Sequence, residues 1–103
     1  MVILDEKYVF HIPLCKYENG RLIELEIDDI LDELLSEFES FYITRIESHY
    51  KSRSYDELLI TVFTSKKSLE TIFMDWFLKN NEVLCQEAMA YEYNGKLFIE
   101  NMK

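Results

Sequence analysis

The hydrophobic pattern of this chain changes period several times, and each change predicts an element. From Tyr8 to Leu14 the sequence YVFHIPL is apolar at nearly every position, as expected of a strand covered on both faces. Asn19-Gly20 follows, a dipeptide suited to a two-residue turn in which both central φ angles are positive. Folding the chain there sets Glu18 opposite Arg21, Tyr17 opposite Leu22, Leu14 opposite Leu25 and Ile12 opposite Ile27. Side chains alternate along strands, so Ile12, Leu14, Ile23, Leu25 and Ile27 share one face while Glu24 and Glu26 point to the other. From Asp28 the spacing becomes helical. Ile27, Ile30, Leu31, Leu34, Leu35, Phe38 and Phe41 form an apolar stripe, with Asp28 as the N-cap.

The next stretch reads YITRIESHY, KSRS, YDELLITVF. Its flanks are rich in β-branched and aromatic residues, which predicts a second hairpin. A four-residue loop sets Tyr50 against Tyr55, Ile46 against Leu59, Tyr42 against Phe63, Glu47 against Leu58 and His49 against Asp56. A second helix spans SKKSLETIFMDWFLKNN, with Leu69, Ile72, Phe73, Trp76 and Phe77 as its stripe. Ser65 or Ser68 caps its start and Asn80-Asn81 stops it, and Trp76 is expected to be buried against the sheet. Asn94-Gly95 then turns a third hairpin in which Tyr91 faces Phe98 and Ala90 faces Ile99.

The resulting order is β-β-α-β-β-α-β-β, an α+β fold in one domain over residues 1–103. Within it lies β-α-β-β-α-β, which resembles the ferredoxin-like plait: two helices on one face of an antiparallel sheet. The plait's central strands fall on YVFHIPL and ELLITVF, and its edge on YITRIESHY. Two helices cover only one face. Val9, Pro13 and Cys15 on the first strand and alternate residues of ELLITVF leave the other face apolar, and the last hairpin is apolar on both faces, Ala88, Ala90, Leu97 and Ile99 on one and Met89, Tyr91, Tyr93 and Phe98 on the other. A second copy of the chain is the expected cover, giving a homodimer through the open sheet face.

Charge narrows the function. Asp and Glu number 20 against 11 Lys and Arg, a formal net charge of −9, which disfavours phosphate backbones and anionic lipid. Direct nucleic-acid binding and membrane association are therefore not expected. The start, MVILDEKYVF, lacks the features of a secretory leader, and a cytoplasmic location is the expectation. Cys15 and Cys85 form no C-x-x-C motif and fit reduced thiols, although sequence spacing leaves a disulfide open.

Candidate chemistry is sparse. ELEIDDILDELLSEFES carries eight carboxylates and no Lys or Arg. It has no Gly at the centre of a calcium loop and no Glu-x-x-His pair, so no metal site is predicted. Its outward acids read first as a solvated helix face, and second as a surface in which Asp28, Asp32, Glu33 and Glu37 meet a basic protein partner. His11 and His49 are the other candidates. His49 opposite Asp56, with Arg45 on the same side and His11 on a neighbouring strand, outlines a sheet-face cleft for acid–base work. The bland alternative is an exposed cross-strand pair and a half-buried strand histidine. No motif implies a cofactor. Three functions follow. The first is a small acidic, non-catalytic protein-interaction module that self-associates. The second is an acidic mimic of nucleic acid that inhibits a nuclease or another basic DNA- or RNA-binding protein. The third is a small enzyme or ligand binder built around His11 and His49.

Overall fold

The computed structural model of the chain describes residues 1–102. Strands β1 (Glu6–Pro13), β2 (Cys15–Glu18) and β3 (Arg21–Glu24) lead into helix α1 (Asp28–Leu35). Strands β4 (Phe41–Tyr50) and β5 (Arg53–Thr64) precede helices α2 (Leu69–Lys79) and α3 (Asn81–Leu84), and β6 (Ala88–Tyr93) and β7 (Lys96–Asn101) close the chain. The fold is α+β. Five strands form one antiparallel sheet in the order β4-β5-β1-β6-β7, and β2-β3 stand apart as a two-stranded arm.

β1 has a partner strand on each side, so it is central in the sheet, and one of its two faces lies under the helices. Tyr8, Phe10 and Ile12 alternate onto the helix side, where they meet Ile60 and Val62 of β5 and Met89 and Tyr91 of β6. α1 adds Leu31 and Leu34, and α2 adds Leu69, Phe73, Trp76 and Phe77. Phe10 is the centre of this layer, with its ring 4.6 Å from Phe73 and 5.4 Å from Phe38. Trp76 is buried as its helical phase predicts. Its indole Nε1 also donates to the Ile30 carbonyl at 2.7 Å, so it joins α2 to α1 as well as to the sheet.

The two Asn-Gly turns set the expected registers. Glu18 pairs with Arg21 and Tyr17 with Leu22 in the arm, and Tyr91 pairs with Phe98 and Ala90 with Ile99 in the last hairpin. Asn19 and Gly20 have φ of 52° and 74°, Asn94 and Gly95 of 47° and 86°, the positive values such turns require. Leu25 N–H still donates to the Leu14 carbonyl at 2.8 Å, but Ile12 pairs with Leu58 rather than Ile27. The chain leaves the main sheet at Leu14, and Ile12 and Ile27 enter the core separately.

Two expectations need correction. The second hairpin turns on two residues, not four: Lys51 and Ser52 take φ of 50° and 64°, with Tyr50 opposite Arg53. Neither is Gly or Asn, so the sequence hid the turn. Each residue held in this left-handed region costs about 1–2 kcal/mol, offset by the ten-residue ladder that it closes. The register moves by two, so Ile46 faces Glu57, Tyr42 faces Thr61 and Glu47 faces Asp56. A shift of two leaves every side chain on its predicted face. The first helix is also shorter than its stripe. Asp28 is its first residue, no side chain caps it, and it ends at Leu35. Ser36 Oγ donates back to the Glu33 carbonyl at 2.7 Å, and N–H groups of Glu37 and Phe38 bond three residues back, which tightens the exit. Phe38 thus reaches the core from a loop, and Phe41 opens β4.

Candidate functional site on the open sheet face

Cross-strand partners share a face, so the register assigns the side away from the helices. It carries Lys7, Val9, His11 and Pro13 of β1, paired with Phe63, Thr61, Leu59 and Glu57 of β5. Tyr42 and Thr44 of β4 extend it on one flank, and Glu92 of β6 with Leu97 of β7 on the other. Tyr42, Leu97 and Ile99 are more than half exposed there, while Val9 and Thr61 are buried at the centre.

His11 is the chemically distinctive residue of this face. Its Nε2 lies 2.8 Å from Glu92 Oε2, and a carboxylate only accepts, so this nitrogen carries a proton. Its Nδ1 lies 3.7 Å from Glu57 Oε2, an ion-pair distance once the ring is charged. The imidazole thus bridges carboxylates from β6 and β5 across β1. Burial opposes its charge, but Glu57 and Glu92 together outweigh burial and raise the His11 pKa above the ordinary histidine value. At roughly 7–13 Å along β1 from His11, at ~3.3 Å per residue, the same face holds an aromatic pair, Tyr42 level with Val9 through Thr61 and Phe63 opposite Lys7. Tyr42 and Phe63 have ring centroids 6.3 Å apart, and Lys7 Nζ sits 5.9 Å over Phe63.

The other predicted residues lie elsewhere. Arg45, His49 and Asp56 project on the helix side, where the β4-β5 hairpin extends beyond helix cover, so His11 does not join them. Arg45 Nη2 reaches Asp56 Oδ2 at 3.4 Å. His49 faces Ser54, not Asp56, because of the two-residue turn; it contacts Glu47 at 3.1 Å and Ser54 Oγ at 3.2 Å and is exposed. The four candidates therefore do not share one cleft. Glu57 and Glu92 were missed, and the signal was available for one of them: Glu57 is the one charged residue of ELLITVF, a strand read as central and covered. Glu92 needed the β1-β6 pairing, which spans 81 residues from His11.

The acidic run resolves differently. Asp28, Asp32 and Glu33 are exposed on α1, and Glu37 follows its end. Lys79 of α2 donates to Glu33 at 2.7 Å, so a run free of bases in sequence is not free of them in space. Glu33, Glu37, Asp75 and Lys79 rim a shallow groove of about 280 Å³ whose floor is Leu34, Ile72 and Trp76. Among the described residues no group of three or more His, Cys, Asp or Glu side chains is arranged to hold a metal ion. Both cysteines are free; Cys15 is buried, and burial pushes its thiol pKa up, away from the reactive thiolate. No helix among the described residues is long and apolar enough to cross a membrane.

No protein-family model matches the chain, and no curated protein matches it in sequence. Its backbone does have solved counterparts. It is similar to a phage SAM lyase in its apo state, with a TM-score of 0.60 and 12% identity over 93% of this chain and 88% of that one. A phage SAM lyase in complex with S-methyl-5'-thioadenosine gives a TM-score of 0.58 and 12% identity over 93% of this chain and 88% of that one. The fold is one that an enzyme uses. That finding contradicts the expectation of a non-catalytic interaction module.

Proposed function

We propose that this chain is a small enzyme that binds and cleaves a sulfonium nucleoside of the SAM type, with its working site on the open sheet face around His11, Glu57 and Glu92. We also read β1-α1-β4-β5-α2-β6 as a ferredoxin-like plait, with β7 as an added edge strand and β2-β3 as an added arm. The observation that carries the functional reading is the bridge of His11 between two carboxylates on the face no helix covers. The likeness in fold to a SAM lyase supplies the substrate class. The chemistry of the face suits such a ligand. Glu57 and Glu92 bring negative charge that attracts a sulfonium cation, and His11 holds a proton between them for transfer to or from the reacting group. Tyr42 and Phe63 offer π-faces on which an adenine stacks, a contact worth ~1–3 kcal/mol per base. The aromatic pair lies roughly 7–13 Å along β1 from His11, within the reach of an extended nucleoside with its sulfur substituent.

The test is incubation of the purified protein with SAM, with chromatographic detection of S-methyl-5'-thioadenosine, alongside calorimetric titration with S-methyl-5'-thioadenosine itself. Glu92→Gln and His11→Gln are expected to abolish product release, Tyr42→Ala to weaken binding by roughly tenfold or more, and His49→Ala to change neither. Absence of both turnover and binding in the wild-type protein would refute the proposal. Full activity in Glu92→Gln would move the site off this face.

A further inference from the structure

The chain contains the same dipeptide at two hairpin turns, in nearly the same backbone conformation, with very different anchorage. Asn94 is held on three sides. Its Oδ1 accepts from the Lys7 N–H at 2.8 Å, its Nδ2 donates to Glu6 Oε2 at 2.8 Å, and its own N–H donates to the Lys7 carbonyl at 2.9 Å. Glu6 is fixed in turn by the Tyr93 hydroxyl at 3.0 Å, and it is buried. The turn closes β6-β7, two strands of the five-stranded sheet. Asn19 is exposed, and no side-chain bond holds it among the described residues. Its turn closes β2-β3, a pair of four-residue strands outside the main sheet. An isolated two-stranded ribbon is marginal by itself and opens locally far more often than a sheet interior.

We infer that Asn19 is a site of spontaneous deamidation and isoaspartate formation, and that Asn94 is protected from the same reaction by its bonds to Glu6 and Lys7. Glycine at the next position is what makes the chemistry accessible, since it places no side chain in the way of the attacking nitrogen. The backbone nitrogen of Gly20 attacks Asn19 Cγ. The Cγ–Nδ2 bond breaks, the displaced nitrogen takes up the Gly20 proton and leaves as ammonia, and a succinimide remains. Water opens that ring at either carbonyl, giving aspartate or isoaspartate. No oxidant or reductant takes part. At Asn94 the departing Nδ2 is tied to Glu6 and the Oδ1 to β1, so Cγ cannot swing to meet the Gly95 nitrogen until those bonds break. The product at Asn19 adds a carboxylate next to Glu18, and the isoaspartyl form adds a backbone carbon to a turn whose register depends on its length. The expected consequence is a looser arm, held to β5 by the Tyr17 hydroxyl on the Ser54 carbonyl at 2.9 Å and by Arg53 over the Tyr17 ring at 4.4 Å.

The experiment incubates the intact folded protein at mildly basic pH for days and follows two tryptic peptides by mass spectrometry, Tyr17–Arg21 and Asn80–Lys96, with fragmentation to localise the change. The expected result is conversion at Asn19 at least roughly tenfold faster than at Asn94 in the folded protein, with the two rates converging in urea. Glu6→Ala is expected to raise the Asn94 rate toward that of Asn19. Equal rates in the folded protein, a gap that persists unchanged in urea, or an Asn94 rate untouched by Glu6→Ala would each overturn the inference.

Discussion

Alternate residues of β1 meet opposite surroundings. Tyr8, Phe10 and Ile12 point under the helices and are essentially inaccessible, packed among rings from α2, β6 and the loop after α1. Val9, His11 and Pro13 point the other way, onto a face that no helix covers. One side holds dispersion contacts and buried area. The other holds a histidine between two carboxylates, flanked by exposed aromatic and aliphatic side chains. A strand with period two lets eight residues serve both purposes: one face carries stability, and the other is free to carry chemistry.

The comparison breaks first at its most buried point. Phe10→Ala removes a ring stacked within reach of Tyr8, Phe38, Phe73 and Tyr91, and is expected to destabilise the fold by about 3–5 kcal/mol. Denaturant unfolding measures it; a loss below ~1 kcal/mol would show that the helix-side layer is not where stability resides. Trp76→Phe comes next. It keeps most of the apolar volume but deletes the donor to the Ile30 carbonyl, leaving that carbonyl without its partner, for an expected loss of about 1–2 kcal/mol.

Both of those residues were legible from sequence, and the reason is physical. Trp76 lies on a helical stripe, and the phase of a stripe is fixed by its neighbours three and four residues away. Tyr17–Leu22 and Tyr91–Phe98 were legible because Asn-Gly turns fix register from the inside. His49 was placed against the wrong partner because Lys51 and Ser52 adopt positive φ without the residues that normally announce it. The helix end at Leu35 was missed because Phe38 and Phe41 continue the apolar spacing after the backbone has stopped being helical. The candidate site was half legible. His11 was singled out and its face correctly assigned, but Glu57 and Glu92 converge on it only through strand pairings that local pattern does not reveal. Asp28, Asp32, Glu33 and Glu37 were read first as a solvated face and second as a surface for a basic partner, and a run free of bases in sequence gave no sign that Lys79 of another helix pairs with Glu33.

The open face is tested by His11→Gln, whose cost in stability is expected to be smaller than either core change and to depend on pH. The folded His11 pKa lies above the ordinary 6.5, so its charged form stabilises the fold fully below that value. The contribution fades as pH rises through the higher folded pKa. Wild-type protein should therefore lose stability across that window, and His11→Gln should not. Glu6 acts in the opposite direction. Hydrogen bonds from Asn94 and Tyr93 hold its pKa below the ordinary 4.5, so its contribution is present above that value and is lost as pH falls through the lowered folded pKa. Melting curves across acid and neutral pH, repeated on Glu6→Gln and His11→Gln, separate the two. If both variants kept the wild-type pH profile, neither bridge would contribute in solution.

The smallest effect is expected from Arg45 and Asp56, and it sharpens the contrast between the faces most. Both side chains are exposed, and their contact of 3.4 Å is long for a guanidinium–carboxylate bond. Pairs of this kind are worth ~0.2–1 kcal/mol, because water screens the attraction and two long side chains lose freedom to make it. They lie on the helix side of β4 and β5 but past the reach of the helices, so they join neither the core nor the His11 cluster. A double-mutant cycle of Arg45→Ala and Asp56→Ala is expected to give a coupling energy near the bottom of that range and to leave the proposed product release from SAM unchanged. If either substitution abolished activity while the protein stayed folded, the working site would have to reach round the β4-β5 hairpin to its other side, and the division of labour between the two faces would fail at that hairpin.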